Sequence, residues 1–403
     1  MTEAIPITII GGGVTGCAIA CELSRTLDDQ IVVLERNKTI PGDNQSSRNS
    51  GVIHAGIYYP QDKGHLKATL CVQGNRILYE FCKEHHIPHK QTGKLIVAVN
   101  SNEEAYLDDV LKTAIDNHVP GVQRIDAAKV NDYEPNVNAT AAVHVPTSGI
   151  VDAGELVRML KSLAVNVGVV FSTGTRVENI VAKRRGFDIV INAGNTRETF
   201  ETNTLINAAG LYADELARMV NPGSPYVMYP LRGEAAKFSC AKRADLFMRG
   251  LNVYPVPWAV LPNGDRLDVP FEEFQRLFLE GKVTKSVGAH LTSTFDIADG
   301  NPVIGKTVTI GPVYIGNVGK EDYHQTRNKQ HYLAAVKPFF PNLELEDITL
   351  HQAGIRARLK DHYDFVIERD ACHPDCINLI GIDSPGLTAS LAIAKYVREL
   401  LHG

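Results

Sequence analysis

The run Gly11-Gly12-Gly13-Val14-Thr15-Gly16 constrains this chain more than any other feature. An apolar run, Ile5 to Ile10, interrupted by Pro6 and Thr8, leads straight into it. An amphipathic stretch from Cys17 to Leu27 follows, and then a second apolar run, Ile31-Val32-Val33-Leu34, which closes on Glu35. The order predicts strand, glycine turn, helix, strand and acid, the arrangement that grips a dinucleotide. Gly11 permits the tight turn, Gly13 lets backbone approach a pyrophosphate, and Gly16 lets helix and strand pack closely. The helix N-terminus offers free N–H groups and a partial positive charge. Glu35 stands where a carboxylate accepts hydrogen bonds from ribose hydroxyls. A glycine turn alone is common punctuation, so the specificity comes from the strand, helix and acid around it.

Composition narrows the class. The 403 residues are 44% hydrophobic and 22% charged, as in soluble globular proteins, and suffice for two or three domains' worth of chain. The net charge is -5 and the 41 basic residues are scattered, which argues against a nucleic-acid surface. No apolar run reaches the ~18 residues of a membrane span. The first strand begins at Ile5, leaving no room for a signal or transit peptide, so a cytoplasmic protein is expected. Seven cysteines without a disulfide framework suit a reducing compartment. Their only cluster, Cys372-His373-Pro374-Asp375-Cys376, supplies too few ligands for a metal site, and no metal is expected.

Further along, Gly93 to Val99 reads as a strand and Glu103 to His118 as a helix, with Leu107, Leu111 and Ile115 at four-residue spacing. Asp152 is placed to cap a helix whose face carries Leu156, Leu160 and Leu163. Strand-like runs follow at Val169 to Ser172, Thr175 to Ala182, Phe187 to Asn192 and Thr204 to Asn207. The last of these ends in Ala208-Ala209-Gly210 and a helix from Ala213 to Val220. The final segment repeats that logic: a strand from Ile377 to Ile382, a turn over Asp383 to Thr388, and a helix from Ala389 to Leu401.

Arg48 to Pro60 reads R-N-S-G-V-I-H-A-G-I-Y-Y-P. Alone it is a polar, glycine-containing loop, and a lone histidine such as His54 most often just packs or meets solvent. The run resembles the flavin-proximal segment of the FAD-dependent oxidoreductases of the D-amino acid oxidase superfamily, and more narrowly the L-2-hydroxyglutarate oxidase/dehydrogenase branch. Tyr229 to Glu234, Tyr254 to Pro257, Gly288 to Thr292, Ala353 to Arg358 and Gly381 to Lys395 resemble further motifs of that branch. The resemblance implies an α/β fold with a Rossmann-like FAD-binding domain drawn from about 1–90, 150–215 and 350–403. A mixed-sheet α+β substrate domain from about 91–149 and 216–349 is interleaved with it. It places Arg36, Arg48, Asn49, Ser50 and Gly51 with Gly11, Gly13, Val14, Thr15, Gly16 and Glu35 on the cofactor. It adds Val177 through its backbone, Ala209 and Gly210, and a flavin-facing turn of Ser384, Pro385, Gly386, Leu387 and Thr388. Two stretches depart from the branch. One is a long insertion at 258–287, whose Phe271, Phe274 and Phe278 fall on one helical face. It reads first as a local helix packed on the substrate domain, and otherwise as a lid, a protein contact or a peripheral membrane patch at the inner membrane. The other is Gly311-Pro312-Val313-Tyr314, where the branch carries G-P-N-A.

The chemistry implied is oxidation of a small-molecule carboxylate, with flavin supplying the redox step. His54 is the expected base for the hydroxyl proton of a 2-hydroxy acid, His290 the second candidate, because imidazole titrates near working pH. Arg356 is the expected carboxylate fork, Arg358 two residues along is read as able to face away, and Tyr58 and Tyr254 are candidate hydroxyl donors. L-2-hydroxyglutarate is the first choice of substrate. Glycerol-3-phosphate dehydrogenase relatives usually carry Arg where Tyr58 stands, which argues against a phosphate, while an amino acid or secondary amine stays open. Reoxidation by oxygen, a quinone or another carrier is left open by the residues.

Overall fold

The computed structural model describes residues 3–194, 196–241, 243–261 and 266–402. The first strand, β1 (Ile5–Ile10), runs parallel to β2 (Ile31–Glu35) on one side and to the strand Thr196–Asn207 on the other. Between them the chain turns through the glycines into α1 (Val14–Ser24). That helix starts three residues before the apolar pattern announced it and stops before Leu27. Val170–Thr173 extends the sheet beyond β2, and Cys376–Ile380 joins the far side of Thr196–Asn207, also in parallel. The strand Thr196–Asn207 is longer than its apolar end suggests, because its polar first half pairs antiparallel with Phe187–Ala193. One face of this eight-stranded sheet is covered by α1, Ala153–Asn166 and the C-terminal helix Gly386–His402, around a core holding Ile9, Ile19, Leu156 and Ile393. Asp152 caps its helix as expected, its Oδ1 accepting from Glu155 N at 2.9 Å.

A second eight-stranded sheet takes its strands from between these, in the order Thr349–Arg356, Leu231–Ser239, Asn301–Gly316, Leu291–Ala298, Asn252–Pro255, Lys94–Ala98, Ala141–Val145 and Gln123–Asp126. The stretch 349–356 is therefore bonded into this sheet, and the C-terminal part of the chain enters the first sheet only at Val366. Along Lys94–Ala98 the side chains alternate, Leu95 and Val97 into one core and Ile96 and Ala98 into another. Lys94 shares the face of the second pair. The helix Ser101–Asp116 packs there through Tyr106, Leu107 and Val110, but Ile115 is 57% exposed. A strict four-residue spacing drifts off the apolar stripe by ~40° per step, so the third residue of such a series leaves the buried face.

Candidate active site

A cavity of about 1340 Å³ opens at the carboxyl ends of β1 and Thr196–Asn207 and runs on between the two sheets. Several physical constraints shape its first end. Gly11 has φ +112° and its hydrogen lies where a Cβ would sit 2.3 Å from Ala208 O. At Gly16 a Cβ would sit 1.8 Å from Gly11 O, so helix and strand can pack only without a side chain there. Glu35 is buried and accepts from Gly12 N at 2.7 Å and Asn37 N at 2.8 Å, which braces the turn from behind. The N-terminus of α1 has no capping side chain from Gly13; Val14 N is taken by Ser46 Oγ at 2.8 Å. The other first-turn N–H groups are left without intrahelical acceptors.

His54 follows the short strand Val52–Ile53 and is held from three directions. Its N donates to Thr388 Oγ1 at 3.0 Å, and its carbonyl accepts from Asn75 Nδ2 at 2.8 Å, on α2 (His65–Glu84). Its Nε2 lies 3.3 Å from Ser384 Oγ. Burial, with the Lys94, His290 and Arg356 charges nearby, holds its proton affinity well below the ordinary histidine value. His290 stacks on Tyr254 with ring centroids 3.7 Å apart, and its Nδ1 sits 3.2 Å from Gly288 O. Burial pushes it down to about 3. Tyr58 stacks on Tyr254 at 6.4 Å, and its buried hydroxyl has no protein partner among the described residues. An orphaned buried hydroxyl costs ~1–3 kcal/mol, which a ligand group here would recover.

Lys94 was not singled out from the sequence. It is 1% exposed, and its Nζ lies 3.8 Å from the centre of the Tyr254 ring and 5.6 Å from that of Tyr58. Because His290 already occupies one face of Tyr254, Lys94 lies against the other. Among the described residues it has no ion-pair or hydrogen-bond partner, and burial pushes it down to about 7.

The opposite wall is ionic. Asp383, with its side chain 1% exposed, pairs with Lys67 Nζ at 2.8 Å and receives Arg356 Nε and Nη2 on one oxygen at 3.1 and 2.6 Å. The two cations keep the Asp383 carboxyl below its ordinary value in spite of burial. Arg356 thus keeps only part of its fork for a ligand. Arg358 lines the same cavity, contrary to the expectation that it could face away. Alternation has period two, so Ile355, Ala357 and Leu359 go to the core and both arginines to the cavity. Lys67 and Asp383 were also missed as site residues from the sequence, where Asp383 stood only as the start of a turn and Lys67 carried no signal.

Of the expected cofactor residues, Gly13, Val14, Thr15, Arg48, Asn49, Ser50 and Gly51 line the cavity, as do Gly210, Ser384, Pro385, Gly386 and Leu387. Gly11, Gly16, Glu35, Arg36, Val177 and Ala209 lie outside its lining. Thr388 is fully buried and spends its hydroxyl on His54 N and Val52 O, so it ties the loop down rather than facing the cavity. Arg36 stacks on Tyr212 and pairs with Glu321 at 2.9 Å. In the insertion, residues 262–265 lie outside the described ones. The helix Phe271–Leu279 packs on Tyr106 through Phe271 and Phe274, with Trp258 stacked on the same ring at 4.5 Å. The local packed helix is therefore present, and Trp258, Leu261 and Phe278 also wall the cavity. No described cluster of three or more His, Cys, Asp or Glu could hold a metal. Cys376 is buried in its strand, while Cys372 N and His373 N both donate to Asp370.

A parallel sheet edge, a glycine turn before a helix with free first-turn N–H groups, and a cavity joining it to a second sheet define a dinucleotide-dependent redox enzyme. The chain belongs to the DAO family of FAD-dependent oxidoreductases, whose profile matches residues 6–400. L-2-hydroxyglutarate dehydrogenase of Caenorhabditis elegans is 32% identical over 97% of this chain and 92% of its own length. The enzyme of that name from Indibacter alkaliphilus is 29% identical over 98% of each chain. The fold superposes on L-alpha-glycerophosphate oxidase of Mycoplasma pneumoniae, solved with FAD bound, with a TM-score of 0.81 and 25% identity, covering 100% of this chain and 96% of that one. FAD is the cofactor, and the residues present fit it. A Cβ at Gly13 would meet nothing but Ser46 Oγ, at 3.1 Å, so the approach to the α1 N–H groups is open on the cavity side.

Proposed function

We propose that this protein oxidises a small L-2-hydroxy acid, L-2-hydroxyglutarate first among them, with His54 taking the hydroxyl proton as the Cα hydride leaves. Bound FAD would supply the hydride acceptor. The observation that carries the reading is the setting of His54. Its Nε2 lies 3.3 Å from Ser384 Oγ in the cavity wall, and burial beside cations keeps the ring neutral and able to accept a proton. Burial pushes His290 down as well, and its ring is spent on Tyr254, which suits it to shaping the site. Arg356 Nη1 and the Tyr58 hydroxyl are the donors for the carboxylate next to the reacting carbon. The insertion excludes water with Trp258, Leu261 and Phe278. The names of the relatives support the substrate. The likeness to a glycerophosphate oxidase favours glycerol 3-phosphate as the second reading. The proposal includes a division into a cofactor unit and a substrate unit, and a cytoplasmic location. No described helix is long and apolar enough to cross a membrane, and the cysteines are free.

Anaerobic bleaching of the flavin tests this. L-2-hydroxyglutarate should bleach it, while its D enantiomer, amino acids and glycerol 3-phosphate should not. A His54→Gln variant should keep its flavin absorbance and lose at least ~100-fold in reduction rate. The base must be neutral, so kcat/KM should hold steady above pH 7 and fall only as pH drops through the lowered His54 value. An oxidised flavin with every hydroxy acid, or a His54→Gln enzyme as fast as the parent, refutes the reading.

A further inference from the structure

The cavity wall holds more positive charge than its own carboxylate neutralises. Lys67, Asp383 and Arg356 form a closed group with one net positive charge. Arg358 adds a second, and among the described residues its guanidinium has no hydrogen bond or ion pair. The buried Arg232 is answered, pairing with Glu234 at 2.9 Å and Asp322 at 2.6 Å, whereas Arg327 Nε, at another point of the cavity lining, is also without a partner among the described residues. Removing a guanidinium from water without a partner is costly, and here burial and the Arg356 charge both work against the cation. An anion arriving in the cavity relieves both.

The two arginines are not equivalent. Arg356 bonds Asp383, whose neighbour Ser384 has its Oγ 3.3 Å from His54 Nε2, so Arg356 stands at the reacting end. They stand two residues apart on one extended segment, fixed by the Tyr229 N to Arg358 O bond at 2.7 Å, and an extended chain rises ~6.6 Å over two residues. A ligand with anionic groups at its two ends can satisfy both.

We propose that Arg358 is the residue that selects a dicarboxylate: it takes the carboxylate remote from the reacting carbon, while Arg356, shared with Asp383, stays at the near one. This rests on the hydroxy-acid reading and deepens it, because a 2-hydroxy acid with a single carboxylate leaves the half-buried Arg358 unanswered. It also accounts for the presence of two arginines where one would bind a simple hydroxy acid. The near carboxylate is common to both kinds of substrate, so discrimination between them falls on the group that meets the far end, here assigned to Arg358.

The holoenzyme with Arg358→Gln provides the test. Relative to the parent, kcat/KM for L-2-hydroxyglutarate should fall roughly 10- to 100-fold, mostly through KM, since a charge-assisted bond is lost. The rate with L-2-hydroxypentanoate, which has a methyl in place of the second carboxylate, should stay within about twofold, and Arg358→Lys should recover part of the loss. Binding without turnover separates this idea from the reaction itself. Glutarate should perturb the parent's flavin spectrum at concentrations roughly 10- to 100-fold lower than pentanoate does, and the preference should vanish in Arg358→Gln. If no hydroxy acid reduces the flavin but the glutarate preference is present and tracks Arg358, the reaction assignment fails and the dicarboxylate site stands. If both ligands, or both substrates, weaken together, or if neither responds, Arg358 is not the selecting residue.

Discussion

Lys94 offers the sharpest quantitative prediction, because its burial is complete and its charge has no counter-ion. The perturbation is Lys94→Met, which keeps the stem's bulk and removes the ionisable end. Burial lowers its proton affinity from the ordinary 10.5 to about 7. Below pH 7 both folded and unfolded chains hold the proton, and the folded state bears the whole cost of a buried cation. Between 7 and 10.5 the folded chain gives up the proton while the unfolded chain keeps it, so parental stability rises with pH. The gap of ~3.5 is worth ~5 kcal/mol at 1.36 kcal/mol per tenfold change in proton affinity. The parent should recover ~3 kcal/mol of this by pH 9.5. The assay is urea unfolding of parent and variant at pH 6.5 and 9.5. Titrating groups that do not feel Lys94 are common to both proteins and cancel in the difference. His54, His290 and Cys71 do feel it, and burial holds all three neutral at both pH values. Lys94→Met should be the more stable at pH 6.5, with an advantage that shrinks by ~3 kcal/mol at pH 9.5. A difference between the two proteins that does not change with pH would show that Lys94 finds an anion or water in solution and refute the argument.

Two other substitutions have definite outcomes. Asp383→Asn leaves Lys67 and Arg356 buried without their carboxylate, and should cost ~3–5 kcal/mol in urea unfolding at pH 7. Because the Asp383 value is lowered, the parent holds this advantage above the ordinary aspartate range and loses it only as pH falls through the lowered one. Gly16→Val forces a side chain into a space where a Cβ already comes within 1.8 Å of Gly11 O. It should destabilise by ~3 kcal/mol or more and strip the purified protein of flavin absorbance at 450 nm. A Gly16→Val protein that retains full flavin would mean the turn can open.

The first sheet was legible because its signals are local: apolar runs, a glycine turn and an acid within the first 35 residues. The cavity wall was only partly so. Lys94 opens an otherwise apolar strand, and its aromatic partners Tyr58, Tyr254 and His290 come from three separate parts of the chain. One hint was available: in a strand buried on both faces, a lysine at an inward position needs an explanation. Asp383 looks like any acid in a turn before a helix, and only the fold brings Lys67 and Arg356 to it. The shared face of Arg356 and Arg358 could have been read directly, from Ile355, Ala357 and Leu359 between and beside them. Thr196 to Phe200 was missed as strand because its side chains are mostly exposed, and the pairing with Phe187–Ala193 that holds it leaves no apolar pattern.

The pairing order of the first sheet also sets a schedule for its making. β1 and β2 emerge from the ribosome first, yet their sheet is finished only when Cys376–Ile380 settles beside Thr196–Asn207, about 345 residues after Glu35. At ~5–20 residues per second, that is a wait of tens of seconds. Throughout it, the core around Ile7, Ile9, Val33 and α1 lacks part of its cover, since the helix Gly386–His402 is made last. A nascent chain stalled before residue 376 would offer chaperones a sheet that still lacks Cys376–Ile380 at its side and the helix Gly386–His402 over α1.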